Sequence, residues 1–386
     1  MTDPAFADCP DRRGTGSEKW DRWPGDILPV WVADMDFRTD PAVLEALHRR
    51  VDHGVFGYTA DPPGFAPSLA GHLERRFGWV IDPAHVIGIT GVVSGLAVAA
   101  RLLAAADDEI ISFTPVYPPF LSLPGRAGRR LLRVPLASDG HGWSIDHAAL
   151  AAAVSPRTRL VWLCHPHNPT GTVFPAADLV KIADLAERHG LTVVSDEIWS
   201  DLLLDDDAGG PVHVPFASLD HPAARRAVTL VAPSKTWNIA GLCCAAAIVP
   251  DDAARRGWRA AGGGLLPMVN PLGYAAAEAA WNHGEPWRRR LVALLRDHRR
   301  RVVEAVAAIP GLACIPPQAT YLAWIDCRAS AVADPQAVCE AAGLGTSDGR
   351  EFGAPGFIRL NMACPTPRLD EALLRLRQAF VPGKPA

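Results

Sequence analysis

The chain has 386 residues, of which 49% are hydrophobic and 21% charged, with a formal net charge of −4. This balance describes an ordinary globular chain of one large and one smaller domain, with no electrostatic case for nucleic acid or an anionic membrane surface. Met1 to Trp20 is too polar for a signal peptide, the apolar run Leu96 to Ala106 is broken by Arg101, and eight cysteines include no Cys-x-x-Cys pair, so a cytoplasmic, metal-free protein is expected.

Taken in order, the first ordered stretch is Leu28 to Phe37, which places Asp34 and Asp36 inside an apolar segment. Buried carboxylates need partners, so at least one of these acids is expected to be tied down. Thr39 or Asp40 is positioned to cap a helix with Pro41 at its first turn, and Val43, Leu44, Leu47 and Val51 predict its buried face. The helix should end at His53-Gly54, followed by the aromatic turn Val55 to Thr59, which carries Tyr58.

From residue 85 apolar runs and helical patterns alternate. His85 to Ile89 predicts a strand, and Thr90 to Gly95 opens a helix over Leu96 to Ala106. A Gly-bounded turn at a helix N-terminus offers free N–H groups and the positive end of the dipole, a natural phosphate site. Further strands are predicted at Glu109 to Phe113, Arg130 to Val134, Arg159 to Cys164, Leu191 to Ser195 and Ala227 to Val231. Their ends lead into Tyr117, into the proline-constrained loop His165 to Gly171 with Asn168, into Asp196, and into Ser234-Lys235. His167 in that loop reads as structural. Gly241 predicts close backbone packing, and the neighbouring Cys243 and Cys244 read as small buried hydrophobes. A long Arg-rich helix over Glu285 to Ile309, a half-buried strand over Thr320 to Asp326, a strand over Phe357 to Asn361 and a helix over Asp370 to Phe380 complete the chain.

Continuous apolar strands separated by helices argue for a parallel, doubly wound sheet, in which ligands collect beyond the carboxyl ends of the strands. The Gly91 turn, Tyr117, Asn168, Asp196 and Ser234-Lys235 all lie there. Only four lysines occur, and three of them, Lys19, Lys181 and Lys384, read as surface charge. Lys235 sits among small and apolar neighbours, where desolvation frees its amine as a nucleophile. A desolvated Lys forms a Schiff base with an aldehyde, an Asp keeps a ring nitrogen protonated, a Tyr stacks on a ring, an Asn donates to a ring oxygen, and a helix N-terminus with a Ser holds phosphate. Together these are the requirements of pyridoxal 5′-phosphate (PLP). Taken singly, a strand-end Lys, a helix-capping Asp and a salt-bridging Arg are the plainer explanations.

The sequence resembles the fold-type I PLP enzymes, and within them the MalY/PatB cystathionine β-lyase (C–S lyase) group. The likeness runs from Trp31 to about Pro365 through Trp31 to Phe37, His53 to Tyr58, Thr114 to Phe120, Pro166 to Gly171, Ser195 to Ile198, Pro233 to Thr236 and Phe357 to Asn361. It implies a mostly parallel, seven-stranded large domain over 41–280, and a smaller α/β domain over 281–386 joined by an N-terminal arm, 1–40. By position, Lys235 would hold the cofactor and shuttle the substrate α-proton, Asp196 would meet the pyridine nitrogen, Asn168 the 3′-oxygen and Tyr117 the ring face. Val92, Val93 and Ser234 would bind phosphate, and Tyr58 would reach the neighbouring site of a homodimer. Arg359 would fork onto the substrate carboxylate, with Asp34 nearby. Trp199 departs from the pattern, which has His in the lyases and Tyr in many aminotransferases; it puts the usual substrate in question and allows a specialised biosynthetic S-conjugate beside a cystathionine-like one. His165 stands where Asn is usual. The expected activity is β-elimination from a cysteine S-conjugate, with transamination as the alternative because both need the same Lys, Asp and Arg. A non-catalytic PLP-binding regulator is the remaining class.

Overall fold

The computed structural model describes residues 3–381 apart from 8, 206, 207 and 263–266; Lys384 lies outside the described residues. Eight strands form the main sheet: β1 (Val86–Ile89), β2 (Glu109–Thr114), β3 (Arg130–Ser138), β4 (Trp143–Ile145), β5 (Thr158–Cys164), β6 (Thr192–Asp196), β7 (Val228–Val231) and β8 (Ala245–Ile248). Their order is β1-β8-β7-β6-β5-β2-β3-β4. The run from β7 to β3 is parallel, while β8 is antiparallel to both its neighbours. The seven expected strands are thus joined by an eighth, the three-residue β4, which forms an antiparallel edge on β3.

The apolar runs explain this architecture. Every residue of β2, β7 and β8 is buried, because helices cover both faces. One buried cluster on the sheet gathers Leu96, Phe120 and Trp162, and a second gathers Phe113, Phe174 and Ile182. The chain reverses its winding between β2 and β5, and this switch point is where a doubly wound sheet opens a crevice.

A second sheet joins Ala313–Cys314 (β9), Leu322–Asp326 (β10), Ser347–Asp348 (β11) and Phe357–Asn361 (β12) in the order β9-β10-β12-β11, all antiparallel. Leu28–Pro29 pairs in parallel with Leu344–Gly345, so the start of the chain is stitched to its last third.

Several local expectations are corrected. On the first helix, α1 (Pro41–Asp52), Val43 and Ala46 are buried and Val51 is exposed, so the core-facing stripe is rotated from the predicted one. Asp40 caps it by accepting from Ala42 N at 2.7 Å. The helix expected over Leu96 to Ala106 runs as α2 over Val92–Leu103, starting at the Gly turn itself. Leu322 to Ile325 is buried on both faces rather than half-buried, because the strand is sandwiched in the core. Cys244 is buried but Cys243 is exposed, turned outward by its left-handed backbone (φ 49°). A Cβ at Gly241 would meet open space, so no close packing explains that glycine. Most consequentially, Lys19 is not surface charge: it is 1% exposed and ion-paired with Asp36 at 3.1 Å.

Candidate active site

Parallel register brings the candidate residues to one height. Cys164 at the end of β5 lies beside Asp196 at the end of β6, and Asp196 lies beside Leu230 near the end of β7. The loops that follow converge on a cavity of about 270 Å³, lined by Gly91, Val92, Val93, Tyr117, Asn168, Asp196, Trp199, Ser234 and Lys235, with Ala33, Cys164, Ile198 and Ala240 closing it. Tyr117 N donates to Asn168 O at 3.0 Å, tying the two sides of the switch point together.

The Lys235 amine donates to Ala33 O at 2.8 Å and sits 5.8 Å from the Trp199 ring centroid. Burial lowers its pKa to about 8, and the nearby Arg359 cation adds to this, against the opposing pull of Asp34 and Asp196. The amine therefore carries a much larger neutral, nucleophilic fraction at physiological pH than an ordinary lysine. Burial pushes Asp196 the other way, up to about 7, although Ile198 N donates to one carboxylate oxygen at 3.1 Å. A carboxyl held in a cavity with one backbone donor is a site for a further N–H.

Arg359 on β12 donates to Asn168 Oδ1 at 3.0 Å, to Trp31 O at 2.9 Å and to Ser347 Oγ at 3.3 Å, with the Phe352 ring 4.6 Å away. Burial lowers its pKa to about 10, and no carboxylate pairs with it among the described residues. A buried, uncompensated guanidinium is a receptor for an anion. Asp34 is instead occupied: Arg12 forks onto both its oxygens at 3.1 and 2.6 Å. Trp199 is buried, edge-on to Tyr321 at 4.9 Å. Tyr58 is brought to no part of this cavity; it is 102% exposed, on an exposed loop with Val55 and Phe56. His167 ties the loop, as expected, with its ring nitrogens 2.6 Å from Pro115 O and 3.2 Å from Cys164 O.

Two features escaped the sequence. Tyr321 and the Ala33 carbonyl flank Lys235, and no spacing signals a contact between residues 288 positions apart. The cluster around Lys19 was equally hidden, because its partners come from the arm and from the last helix.

The residues present fit PLP. The cavity offers an amine for the aldehyde, a carboxyl for the ring nitrogen, and the first turn of α2, which has no side-chain cap, beside Ser234 for the phosphate. Among the described residues no group of His, Cys, Asp and Glu could hold a metal, and no helix is long and apolar enough to cross a membrane.

Comparison with known proteins agrees. Residues 30–376 match the family described as aminotransferase class I and II. Cystathionine β-lyase PatB of Bacillus subtilis is 36% identical, over 96% of this chain and 98% of its own length. The crystal structure of OvoB superposes with a TM-score of 0.94 at 40% identity, covering 98% of this chain and all of that one. Cystalysin from Treponema denticola, whose structure contains PLP, gives a TM-score of 0.91 at 30% identity, with 98% of each chain covered. This chain therefore belongs to the aminotransferase class I and II family of PLP-dependent enzymes, alongside the cystathionine β-lyase PatB.

Proposed function

We propose that the protein is a PLP-dependent C–S lyase that converts a cysteine S-conjugate to a thiol, pyruvate and ammonia. The observation that carries this reading is the shared cavity: a poised Lys235 amine and a proton-ready Asp196 carboxyl line it, and the uncompensated Arg359 guanidinium reaches it through Asn168. Such a set suits an α-amino acid, whose carboxylate needs a cation and whose α-proton needs a base. The likeness to PatB favours elimination over transamination.

When bound, PLP supplies an electron sink that makes the substrate α-proton acidic. Lys235 holds the cofactor and then takes that proton at Nζ. Asp196 would keep the proton on the ring nitrogen, Asn168 would donate to the 3′-oxygen, Tyr117 would cover the ring, and Val92, Val93 and Ser234 would hold the phosphate. Arg359 fixes the substrate carboxylate with Asp34 beside it. Trp199 and Tyr321 exclude water from the side facing Lys235. With Trp199 in place of a smaller ring, the S-substituent is a specialised one rather than that of cystathionine.

The reading includes a cytoplasmic homodimer in which Tyr58 reaches a second copy's cavity; the exposed Val55, Phe56 and Tyr58 support such a contact. It also divides the chain into an arm, 1–40, a cofactor domain, 41–280, and a small domain, 281–386. The span of the main sheet within 86–248 and of the second sheet within 313–361 supports that division. The test is to incubate the PLP-loaded protein with a panel of S-substituted cysteines, bulky ones included, and to follow pyruvate and free thiol. Equal release of both is expected. Ketoacid-dependent amino transfer without thiol would sink the lyase reading.

A further inference from the structure

The Lys235 amine rests on the Ala33 carbonyl, in a turn whose other carbonyls are held elsewhere. In the turn Val32 to Asp34 every carbonyl is engaged. Val32 O accepts from Asn361 Nδ2 at 2.7 Å, and Asp34 O accepts from the same group at 2.6 Å and from Lys19 Nζ at 3.2 Å. Asn361 N also donates to Val30 O at 2.7 Å. The turn is thus fixed from outside, and Ala33 of this turn lines the cavity. That oxygen takes two donors, Lys235 Nζ at 2.8 Å and the Tyr321 hydroxyl at 2.9 Å. Tyr321 is fully buried, and its ring is held by the edge contact with Trp199.

We infer that Tyr321 is a positioning residue for Lys235: its hydroxyl shares the Ala33 carbonyl with the Lys235 amine and so sets how tightly that amine is held whenever it is free. This rests on the PLP reading above. A neutral amine that donates one N–H to Ala33 O keeps its lone pair available for the substrate. In the proton transfer the Cα–H bond breaks, an N–H bond forms on Lys235, and the bonding pair stays at the substrate carbon. The ammonium so formed is a stronger donor than the amine and binds a carbonyl more tightly. Donation by Tyr321 to the same oxygen weakens that grip and keeps Lys235 from being trapped as its conjugate acid. Arg359, Asp34, Asp196 and Glu18 are the charged groups that act on the amine alongside it, and Tyr321→Phe leaves all of them in place.

The test uses the rate at which cofactor-free protein takes up PLP, followed by absorbance against pH. Imine formation needs the neutral amine, so the profile reports Lys235 without any substrate. Tyr321→Phe keeps the ring and removes the hydroxyl. The uptake profile should move to higher pH by ~0.5–1 unit, and kcat for thiol release near pH 7 should fall roughly 3- to 10-fold with KM unchanged. Coincident wild-type and Tyr321→Phe profiles would overturn the inference. Should Tyr321→Phe not fold, 3-fluorotyrosine at this position, a stronger donor of nearly the same shape, must move the profile to lower pH; no movement overturns the inference equally. Wild type that takes up no PLP refutes the cofactor reading instead. Wild type that releases thiol and pyruvate beside an unmoved variant refutes only the role of Tyr321.

Discussion

Two of the regions that bury charge in this molecule do so in opposite ways. In the cluster behind the N-terminal arm, Asp36 is surrounded by donors: Lys19 Nζ at 3.1 Å, Trp20 Nε1 at 2.8 Å, Arg368 at 2.9 Å and Arg12 at 3.2 Å. Burial works to raise the Asp36 pKa, but these partners together hold it below the ordinary carboxylate value. In the cavity, Asp196 has a single backbone donor and rises to about 7, while Lys235 has a neutral carbonyl for a partner and falls to about 8. The difference teaches that burial alone marks nothing. Charge that is buried and compensated holds the arm in place; charge that is buried and left short of partners is available for chemistry.

The contrast is broken most severely at Lys235. Lys235→Ala should remove the PLP absorbance band of the loaded protein and lower thiol release by at least ~10³-fold, because both the covalent anchor and the base are lost. A band that persists in this variant would show that the cavity holds its cofactor some other way.

A second break concerns Asp196 and pH. Its pKa in the fold lies above its unfolded value, so the stability it contributes is complete below about pH 4 and is lost as pH rises to about 7. Thermal unfolding of cofactor-free protein should therefore show wild type losing stability against Asp196→Asn across that interval, by on the order of a few kcal/mol. Parallel curves would place the Asp196 carboxyl in a more polar setting than the cavity provides.

The other half of the comparison is tested by Lys19→Met. Asp36 keeps Arg12, Arg368 and Trp20, so the loss should be about 2 kcal/mol by denaturant unfolding rather than the ~3–5 kcal/mol of a fully broken buried pair. The variant should still take up PLP, since Lys19 touches no cavity-lining side chain. An effect on PLP uptake as large as that of Lys235→Ala would dissolve the distinction between the two regions.

These two lysines also show what was legible in the sequence. Lys235 could be found because strand ends bring it to Asp196, Asn168 and Tyr117, and sheet topology is written in the alternation of apolar runs and helices. Lys19 could not, because its burial depends on an arm without periodicity folding against Asp36 and Arg368, contacts set by tertiary packing. The need of Asp34 and Asp36 for partners was visible, but their identity was not. Tyr321 lay within a predicted strand, yet its role depends on a backbone carbonyl far away in the chain. The rotation of α1 and the outward turn of Cys243 belong to the same class of local features decided by neighbours.

The smallest effect is expected at Lys181, which completes the series. It sits on the helix Ala176–His189, its side chain 56% exposed, with Asp178 at 3.3 Å one turn away. An exposed pair of this kind spends side-chain entropy to hold one geometry and is screened by salt, so its net contribution lies near zero. Asp178 also keeps His147 Nε2 at 2.8 Å, which leaves the carboxylate satisfied when the Lys is removed. Lys181→Ala should therefore shift stability by less than ~0.5 kcal/mol and leave PLP uptake and thiol release unchanged. A loss above ~1 kcal/mol, measured in the same denaturant titration as Lys19→Met, would mean that exposure does not discount an ion pair here, and the ranking Lys235, Lys19, Lys181 would no longer follow from burial and partners.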